Sequence, residues 1–370
     1  MSDNDTAQKQ RVRTCHERWM RGEHHHGLVS VIIPTCNRAH LLTESMNSVW
    51  EQSYRPIELV VVDDGSVDNT RHVVEQWNRA HGNDGHFKLH YIHQDNRGAP
   101  AARNLGLIES HGEFIQFLDS DDLLHRDKLT LQVDRLVSDR SLGFVYSATA
   151  AFTDAPDWSA TPFSGVPVRK EQLLSAFILC PVWITSSGVY SRNTCVVLGP
   201  WDETCSRCQD WEYNIRLILS DPCIAFVDRT LSSHRFHTEG RISDPFSSEC
   251  AVRRVFSTRK KVAQRIRTAG QLEGEVEWAM ASCYFGLVKA ALRLGYVHLA
   301  REIADCVSRL HVNPVQERQM MFWRSLAYLP AWCGPRLAST VLYLSAAKRR
   351  VCVKKTGLIS ECDAASIGHR

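Results

Sequence analysis

The feature that most constrains this chain is its alternation between short β-branched segments and segments with helical spacing. LVSVIIP at 28–34 and IELVVVDD at 57–64 are valine- and isoleucine-rich runs of strand length. Between them, residues 39–52 carry apolar side chains at helical spacing. Strands that are apolar on both faces are typical of a parallel sheet covered by helices on both sides. The pattern therefore predicts an α/β fold with a mostly parallel sheet.

The alternation continues to about residue 220 and then stops. It predicts helices at 67–81, 98–111 and 209–219, and strands at 87–93, 113–119, 143–150 and 184–191. From about Glu249 to Arg350 the pattern is wholly helical, and residues 275–310 predict an αα-hairpin that turns at Gly295. We therefore expect an unstructured segment at 1–26, an α/β domain at 27–245, a helical region at 246–350 and a tail at 351–370.

Composition and charge exclude several classes of protein. The chain has 44 Lys and Arg residues and 41 Asp and Glu residues. The resulting net charge of +3 is too small to indicate a nucleic-acid-binding protein. The first twenty residues lack the apolar segment of a secretion signal, and no run of 18 apolar residues predicts a spanning helix. We therefore expect a cytoplasmic protein whose thirteen cysteines are mostly reduced.

Two further motifs each have two interpretations. Cys205 and Cys208 form a C-x-x-C, which predicts core thiols rather than a zinc or redox site because no second C-x-x-C follows at the required spacing. Basic residues follow the apolar stretch 337–347. They indicate either a solvated basic terminus or peripheral contact with the inner face of a membrane.

Acidic side chains stand where two of the predicted strands end. Asp63 and Asp64 close the strand at 57–64. Asp119, Asp121 and Asp122 close the strand at 113–119. Because ligands of parallel sheets bind beyond the carboxyl ends of the strands, we expect these acids to share one rim of the sheet.

Three acids this close repel one another unless solvent, a proton or a cation neutralises them. Asp119 and Asp121, two residues apart at a strand end, can direct their carboxylates at one oxygen-rich site of the kind that Mg²⁺ and Mn²⁺ prefer. Such an ion would neutralise a diphosphate and make it a leaving group. Asp64 can accept a hydrogen bond from a nucleobase or a ribose. Taken alone, both motifs are better explained as solvated acidic turns.

Four blocks of sequence, in order, carry a resemblance to a known family: SVIIPTCNRAHLLTESMNSVWEQSYRPIELVVVDDGSVDNT, NRGAPAARNLGLIESHGEFIQFLDSDD, GPWDE and CQDWEYNIRL. From about Leu28 to Ser243 the chain resembles the family 2 glycosyltransferases of the GT-A fold. The resemblance implies a Rossmann-like, mostly parallel sheet covered by helices on both faces. It implies metal-dependent, inverting transfer from a nucleotide-diphosphate sugar, foremost a UDP-sugar, to a hydroxyl of a glycan, lipid-linked or protein acceptor. The products would be cell-surface polysaccharides or glycoconjugates.

The resemblance also implies roles for individual residues. The nucleotide sugar would be held by Pro34, Thr35, Asn37, Asp64, Arg97, Arg103 and Asp119, with Asp63, Asn96, Gly98 and Asp122 beside them. Mn²⁺ or Mg²⁺ would be bound by Asp121 and His237, with His234 as the alternative histidine. Asp210 would be the base that takes the proton of the acceptor hydroxyl, because the start of a helix favours its ionised form.

The chain departs from the family pattern at one position of this motif. Gln209 stands where the family has Glu, which removes one charge beside Asp210 and changes how an acceptor is positioned. Three tryptophans are expected to stack on sugars or to belong to the core: Trp183, Trp201 and Trp211.

Two other functions compete with sugar transfer. A GT-A-like nucleotidyltransferase would share the fold, but PTCNRAHLL is not the Gly-rich basic phosphate loop that such enzymes carry. A nucleotide-sugar-binding module without transfer activity would retain the nucleotide loops and lose the catalytic acids. The presence of Asp119, Asp121 and Asp210 argues against that loss.

Overall fold

A computed structural model describes residues 19, 24–82, 85–236 and 248–310. The chain forms two compact units. The described residues of the first unit lie within Met1–Val168 and Val182–Gly240, and those of the second lie within Arg169–Pro181 and Arg241–Arg370. The short segment at 169–181 thus groups with the C-terminal helices, whereas the sequence predicted contiguous boundaries.

The described part of the first unit contains an eight-stranded sheet. The strands are β1 (His25–Thr35), β2 (Ile57–Asp64), β3 (Phe87–Gln94), β4 (Gly112–Phe117), β5 (Leu123–Leu124), β6 (Leu142–Phe152), β7 (Gly188–Ser191) and β8 (Cys223–Arg235). Their order across the sheet is β3-β2-β1-β4-β7-β6-β8-β5. Strands β1 to β4 pair in parallel, β8 runs parallel to β6, and β7 and β5 run antiparallel to their neighbours. The predicted mostly parallel sheet is confirmed.

Ten α-helices connect and follow these strands in the described residues. They are α1 (Ala39–Trp50), α2 (Thr70–His81), α3 (Ala99–Glu109), α4 (Lys128–Ser138), α5 (Lys170–Leu179), α6 (Arg192–Leu198), α7 (Gln209–Leu219), α8 (Glu249–Thr268), α9 (Gly274–Arg293) and α10 (Val297–Val307). All but α4, α5 and α6, which were not predicted, lie close to the predicted positions. Helix α3 begins one residue later than predicted because Gly98 has a φ of 90°, outside the helical region.

Helices cover both faces of the parallel strands. On one face, Val31 and Ile33 of β1 belong to the same apolar cluster as Met46 of α1. On the other face, Gly106 lets α3 approach the sheet so closely that a Cβ there would lie 2.4 Å from Ile32 Cγ2. All eight residues of β2 are buried. Burial on both faces explains why these strands read as continuous apolar runs.

The structure differs from the sequence prediction at the beginning of two strands. Strand β1 begins at His25 rather than Leu28, because the His25 N–H donates to the His111 carbonyl at 2.8 Å and extends the pairing with β4. Strand β7 begins at Gly188 rather than residue 184, because Thr185–Ser187 forms a 3-10 turn. The Ser187 hydroxyl donates to the Ile184 carbonyl at 2.7 Å and holds this turn.

The described part of the second unit is helical, as predicted. Helices α9 and α10 form the expected αα-hairpin, and Gly295 at its turn has a φ of 83°. Helix α5 packs on α9, where the Cys283 thiol lies 3.0 Å from the Ile178 carbonyl. None of the described helices combines the length and apolarity needed to cross a membrane. The apolar and basic stretch at 337–355 lies outside the described residues.

Candidate active site

The loops at the carboxyl ends of β1 and β2 are tied together by Asn37. The Asn37 N–H donates to the Ser66 hydroxyl at 2.9 Å, and the Asn37 side-chain oxygen accepts from the Val67 N–H at 2.8 Å. Asn37 has a φ of 53°, a left-handed conformation that asparagine tolerates better than most residues. Pro34 and Thr35 are the last two residues of β1. The buried Thr35 hydroxyl has no hydrogen-bond partner among the described residues.

Asp64 holds the loop that follows β3. Its Oδ1 accepts from the Arg97 N–H at 2.8 Å and from the Gln94 side chain at 2.7 Å. Its Oδ2 accepts from the Gly98 N–H at 2.7 Å. A carboxylate has about four acceptor positions, so three protein donors leave room for one further donor. Asp64 can therefore organise this loop and still contact a ligand.

Both carboxylate oxygens of Asp63 accept hydrogen bonds from other residues of the protein. Its Oδ1 accepts from the Ser66 N–H at 2.8 Å, and its Oδ2 accepts from the Tyr91 hydroxyl at 2.6 Å, with His93 Nδ1 at 3.5 Å. Burial together with the Asp63 carboxylate raises the pKa of Tyr91, which keeps the phenol protonated as a donor. Asp63 therefore supports the turn, and Asp64 is the better candidate for ligand contact.

Asp119 forms an ion pair with Arg103. Arg103 Nη2 lies 2.7 Å from Asp119 Oδ1, and the Arg103 guanidinium lies 4.6 Å from the centre of the Trp201 ring. Arg103 belongs to α3, so this pair connects the start of that helix with the end of β4. Arg103 is one of the residues for which the resemblance implies contact with the nucleotide sugar.

Asp121 also pairs with an arginine. Its Oδ2 accepts a hydrogen bond from Arg38, which follows β1. Its backbone carbonyl accepts from Arg235 Nε at 3.2 Å, and Arg235 in turn pairs with Glu44 of α1. The Asp121 side chain is 9% exposed. Arg38, Arg235 and Glu44 were not predicted as site residues.

Asp122 is fully buried and pairs with His234. Its Oδ1 lies 2.8 Å from His234 Nδ1, and its Oδ2 accepts from the Ser186 hydroxyl at 2.8 Å. Burial raises the pKa of Asp122. Burial alone would lower the pKa of His234, but the Asp122 carboxylate outweighs it and raises that pKa to about 9. Each acid of the 119–122 cluster therefore has its own cationic partner.

Asp210 lies in the first turn of α7. Cys208, the residue before the helix, has a φ of 54°, and the Asp210 carbonyl accepts from the Asn214 side chain at 2.9 Å. Burial raises the pKa of Asp210, whereas the Trp211 backbone amide and the positive charge of Arg103 oppose this rise. A carboxylate with a raised pKa is a better proton acceptor near neutral pH than an ordinary aspartate.

Arg103 also connects the acidic strand end with the start of α7. With its amide oriented to satisfy both polar atoms, Gln209 accepts a hydrogen bond from Arg103 Nη1 at 3.3 Å and donates one to the Cys205 carbonyl at 3.3 Å. Gln209, in the position of the family's Glu, thus binds the same arginine as Asp119. Asp119, Arg103 and Asp210 therefore lie close to one another in the structure.

Glu203 is a site residue that sequence reasoning missed. Its Oε2 lies 2.8 Å from Arg97 Nη2, and its Oε1 accepts from the Asn104 side chain at 3.0 Å. The Asn104 side-chain oxygen accepts from the Trp201 N–H at 2.7 Å. Glu203 lies in the block GPWDE, and Asn104 lies in the block NRGAPAARNLG. Their position in these two blocks is the sequence signal that could have identified them. They join the segment 201–203 to the loop and helix that carry Arg97 and Arg103.

Other predicted candidates lie in the core or outside the described residues. Trp183 and Trp201 are each 1% exposed and Trp211 is 8% exposed, which favours the core interpretation over sugar stacking. Neither Cys205 nor Cys208 forms a disulfide, and among the described residues neither belongs to a group that could hold a metal ion. The predicted metal ligand His237 lies outside the described residues.

Comparisons with known proteins agree with this architecture. Residues 30–193 match the family model described as glycosyl transferase family 2. The chain is 39% identical over 119 residues to UDP-Glc:alpha-D-GlcNAc-diphosphoundecaprenol beta-1,3-glucosyltransferase WfgD of Escherichia coli, which covers 32% of this chain and 44% of that protein. It is 36% identical over 120 residues to the putative teichuronic acid biosynthesis glycosyltransferase TuaG of Bacillus subtilis, covering 32% of this chain and 46% of TuaG. The chain spans less than half the length of these two relatives.

A solved structure shares the fold at low sequence identity. The crystal structure of S. aureus TarS 1-349 in complex with UDP-GlcNAc aligns with a TM-score of 0.52 and 16% identity, covering 81% of this chain and 90% of that one. The sheet order, the acidic rim at the carboxyl ends of its strands and the family match lead to one assignment. Residues 30–193 match glycosyl transferase family 2, and the fold is that of the GT-A glycosyltransferases.

Proposed function

We propose that this chain is a metal-dependent, inverting glycosyltransferase that moves a sugar from a nucleoside-diphosphate sugar to an acceptor hydroxyl. One observation carries the proposal: Arg103 contacts both Asp119 at the end of β4 and Gln209 beside Asp210. A donor-binding acid and a candidate base are thereby held around one buried cation. A UDP-sugar is the first donor to test, because the names of WfgD and TarS carry UDP-Glc and UDP-GlcNAc.

The donor diphosphate would lie beside Arg103 and the start of α3. Helix α3 begins directly after the loop that Asp64 holds, and the N-terminus of a helix attracts anions. Arg103 supplies a planar cation suited to phosphate oxygens. The nucleoside would contact the remaining acceptor position of Asp64 and the loop that carries Asn37. These loops are already fixed by their own hydrogen bonds, so little ordering is needed on binding.

Asp119 and Asp121 offer the hard carboxylate oxygens that Mn²⁺ and Mg²⁺ prefer, so the donor set fits the proposed ion. We assign Asp121 as a metal ligand, with His237 as the second protein ligand predicted from the sequence. When bound, the ion would neutralise charge on the departing diphosphate. Arg38, which pairs with Asp121, would then share the carboxylate or turn towards a phosphate oxygen.

Asp210 would act as the general base. Its carboxylate accepts the proton of the acceptor hydroxyl while that oxygen forms a bond to the anomeric carbon. The bond from the anomeric carbon to the diphosphate breaks, and its electron pair leaves with the diphosphate. Attack opposite the leaving group inverts the anomeric centre. Arg103 stabilises the negative charge that develops on the leaving group.

The name of WfgD, which specifies a diphosphoundecaprenol acceptor, supports testing a lipid-linked saccharide first. TuaG, named for teichuronic acid biosynthesis, supports a role in cell-surface polysaccharide synthesis. We therefore propose a lipid-linked glycan as the acceptor, with free glycans and proteins as the alternatives to screen.

A thermal-shift screen of nucleoside diphosphates and nucleotide sugars, with and without Mn²⁺, tests the donor site. We expect one nucleotide to raise the melting temperature in a Mn²⁺-dependent manner. Asp121→Ala should abolish the Mn²⁺-dependent part, and Asp139→Ala, at an exposed turn before the amino end of β6, should preserve it. An unchanged Mn²⁺ effect in Asp121→Ala would contradict the metal assignment.

A transfer assay with the selected donor tests the chemistry. Asp210→Asn should keep donor affinity and lower kcat by about 10²- to 10⁴-fold, the usual contribution of a general base. Asp139→Asn, at the exposed turn before β6, is the matched control. A nucleotidyltransferase would instead consume a nucleoside triphosphate and a sugar phosphate and release pyrophosphate. A binding module would shift in melting temperature without turnover in any acceptor screen.

A further inference from the structure

Two histidines and a glutamate converge at the opposite end of the sheet from the acidic rim. His24 precedes β1, His26 is the second residue of β1, and Glu113 is the second residue of β4. One potential ligand atom from each side chain lies within 4.8 Å of the others. Among the described residues, these three side chains are the His, Cys, Asp and Glu residues whose potential ligand atoms lie close enough together to hold one metal ion.

Strand geometry explains why these three side chains share a face. Side chains at positions i and i+2 of an extended strand point to the same side, which pairs His24 with His26 and sends His25 to the other side. His25 pairs with Gly112, and in the irregular register that follows, Glu113 lies next to His26 and accepts from the Gly27 N–H. His25 stacks on His111 at a ring distance of 5.9 Å, away from this group.

The Glu113 carboxylate is held in place by protein donors. Its Oε2 accepts from the Gly27 N–H at 2.7 Å, and its Oε1 pairs with Arg140. His26 Nδ1 lies 3.7 Å from Glu113 Oε2. Donors of this kind orient a carboxylate that binds a metal ion. The Glu113 side chain is 12% exposed and the His26 side chain 88% exposed, so the group is fixed on one side and open to solvent on the other.

A cavity of about 460 Å³ adjoins this group. His24 and Glu113 line it together with Arg140, Ser191, Arg192 and Asn193. The space is large enough and polar enough to hold water. A metal ion bound by the three side chains would therefore have water available as a fourth ligand.

We propose that His24, His26 and Glu113 form a second cation site, which binds Zn²⁺ with water as the fourth ligand. Two imidazoles and one carboxylate match the ligands that Zn²⁺ takes when one coordination position stays open. In a tetrahedral zinc site, bonds of about 2 Å place the ligand atoms roughly 3.3 Å apart. Rotation of the exposed His26 and adjustment of His24 close the observed spacing to that value. This ion ties the beginning of β1 to β4 and is independent of the Mn²⁺ or Mg²⁺ proposed for the sugar site.

Zinc binding to the full chain tests the proposal. The chain is produced without an affinity tag, stripped with EDTA, and titrated with Zn²⁺ against a chromogenic chelator in the Asp121→Ala background, which removes the acidic-rim ligand. We expect one tight Zn²⁺ equivalent. His26→Ala and Glu113→Gln should each weaken binding by about tenfold or more, comparable to the loss of a metal-orienting group. Co²⁺ substitution should give the visible absorption of a four-coordinate ion.

His25→Ala is the matched control, because it removes a histidine from the same run of three but from the other face of the strand. It should leave the Zn²⁺ affinity unchanged. Equal weakening by His25→Ala would show that the histidine run binds zinc without this geometry and would overturn the proposal. Absence of a tight equivalent, or unchanged affinity in both His26→Ala and Glu113→Gln, would also overturn it. His26 is exposed, so its substitution leaves folding intact.

Discussion

Arg103 and Asp119 form an ion pair whose atoms Nη2 and Oδ1 lie 2.7 Å apart, with 5% of the Arg103 side chain and 35% of the Asp119 side chain exposed. The arginine is thus buried, while its acid partner still reaches solvent. Gln209 adds a neutral acceptor to the same guanidinium rather than a second negative charge. Fewer negative charges of the protein therefore compete for Arg103, which in the proposed function contacts the donor diphosphate.

Arg103→Lys should keep the positive charge and lose the forked geometry that reaches both Asp119 and Gln209. We expect kcat/KM for transfer to fall by about tenfold to a hundredfold, the range of one charge-assisted hydrogen bond. Steady-state kinetics with the donor found by the screen measures this. Arg79→Lys, on the exposed surface of α2, is the control. Wild-type kcat/KM in Arg103→Lys would remove Arg103 from the donor site.

Gln209→Glu should shift the pH dependence of transfer. Burial already raises the pKa of Asp210, and a second carboxylate beside it would raise that pKa further while drawing on the charge of Arg103. A base works only when deprotonated, so the acidic limb of the kcat/KM profile should move to higher pH. Gln76→Glu, at an exposed position of α2, should leave the profile unmoved. A shift to lower pH would contradict the proposed role of Asp210.

Glu58→Gln should destabilise the first unit. The buried Glu58 carboxylate accepts from the Ser30 hydroxyl at 2.6 Å and from the His111 backbone and ring nitrogens at 2.8 Å. In Glu58→Gln, an amide NH₂ group replaces one carboxylate oxygen, so a donor would face the donors on Ser30 or His111. We expect this change to lower the free energy of unfolding by about 2 kcal/mol. Chemical denaturation measures it. Glu75→Gln breaks an exposed pair with Arg71 and should change stability by less than about 0.5 kcal/mol.

The same carboxylate predicts the direction of a pH effect. Burial alone raises the pKa of Glu58, but hydrogen bonds from His111 and Ser30 outweigh it and hold the pKa below its ordinary value of 4.5. Its stabilising contribution is therefore complete above that pH and is lost as the pH falls through the lowered pKa. The stability difference between wild type and Glu58→Gln should shrink in that acidic range. A difference that stays constant with pH would contradict this account.

Two helical glycines should respond to alanine in opposite ways. A Cβ at Gly106 would lie 2.4 Å from Ile32 Cγ2, so Gly106→Ala should force α3 away from the sheet and cost about 1–3 kcal/mol. Gly286, in the middle of α9, has no atom within 4 Å of such a Cβ. Gly286→Ala should stabilise its helix by up to about 1 kcal/mol. Thermal unfolding of both variants measures the contrast, and stabilisation by Gly106→Ala would refute the close-approach argument.

The sequence indicated the fold well because the relevant signals are local. The apolar runs at β1 and β2 and the helical spacing at α1 and α9 each follow from a few neighbouring residues. The acids at strand ends could be recognised for the same reason. Asp63 and Asp64 directly follow the apolar residues of β2 in the sequence and mark where that strand ends. The resemblance then added Arg103 and Asp210, whose roles no local pattern shows.

The partners of these acids could not be found in the same way. Arg38 pairs with Asp121 across 83 positions of sequence, and Arg235 reaches the Asp121 carbonyl across 114. Nothing near Glu203 indicates that it binds Arg97, which stands 106 residues away. Such pairs form only when the sheet order places distant loops on one rim.

By itself, the sequence determined a parallel sheet with an acidic rim, because strand burial and strand-end chemistry are properties of short segments. The tertiary structure decided how the mutual repulsion of Asp119, Asp121 and Asp122 is relieved. The sequence predicted a bound cation at these acids, and folding in addition places one cationic side chain beside each acid: Arg103, Arg38 and His234. The physical reason is that electrostatic pairing depends on distance through space, and the distances between remote residues are set only when the chain has folded.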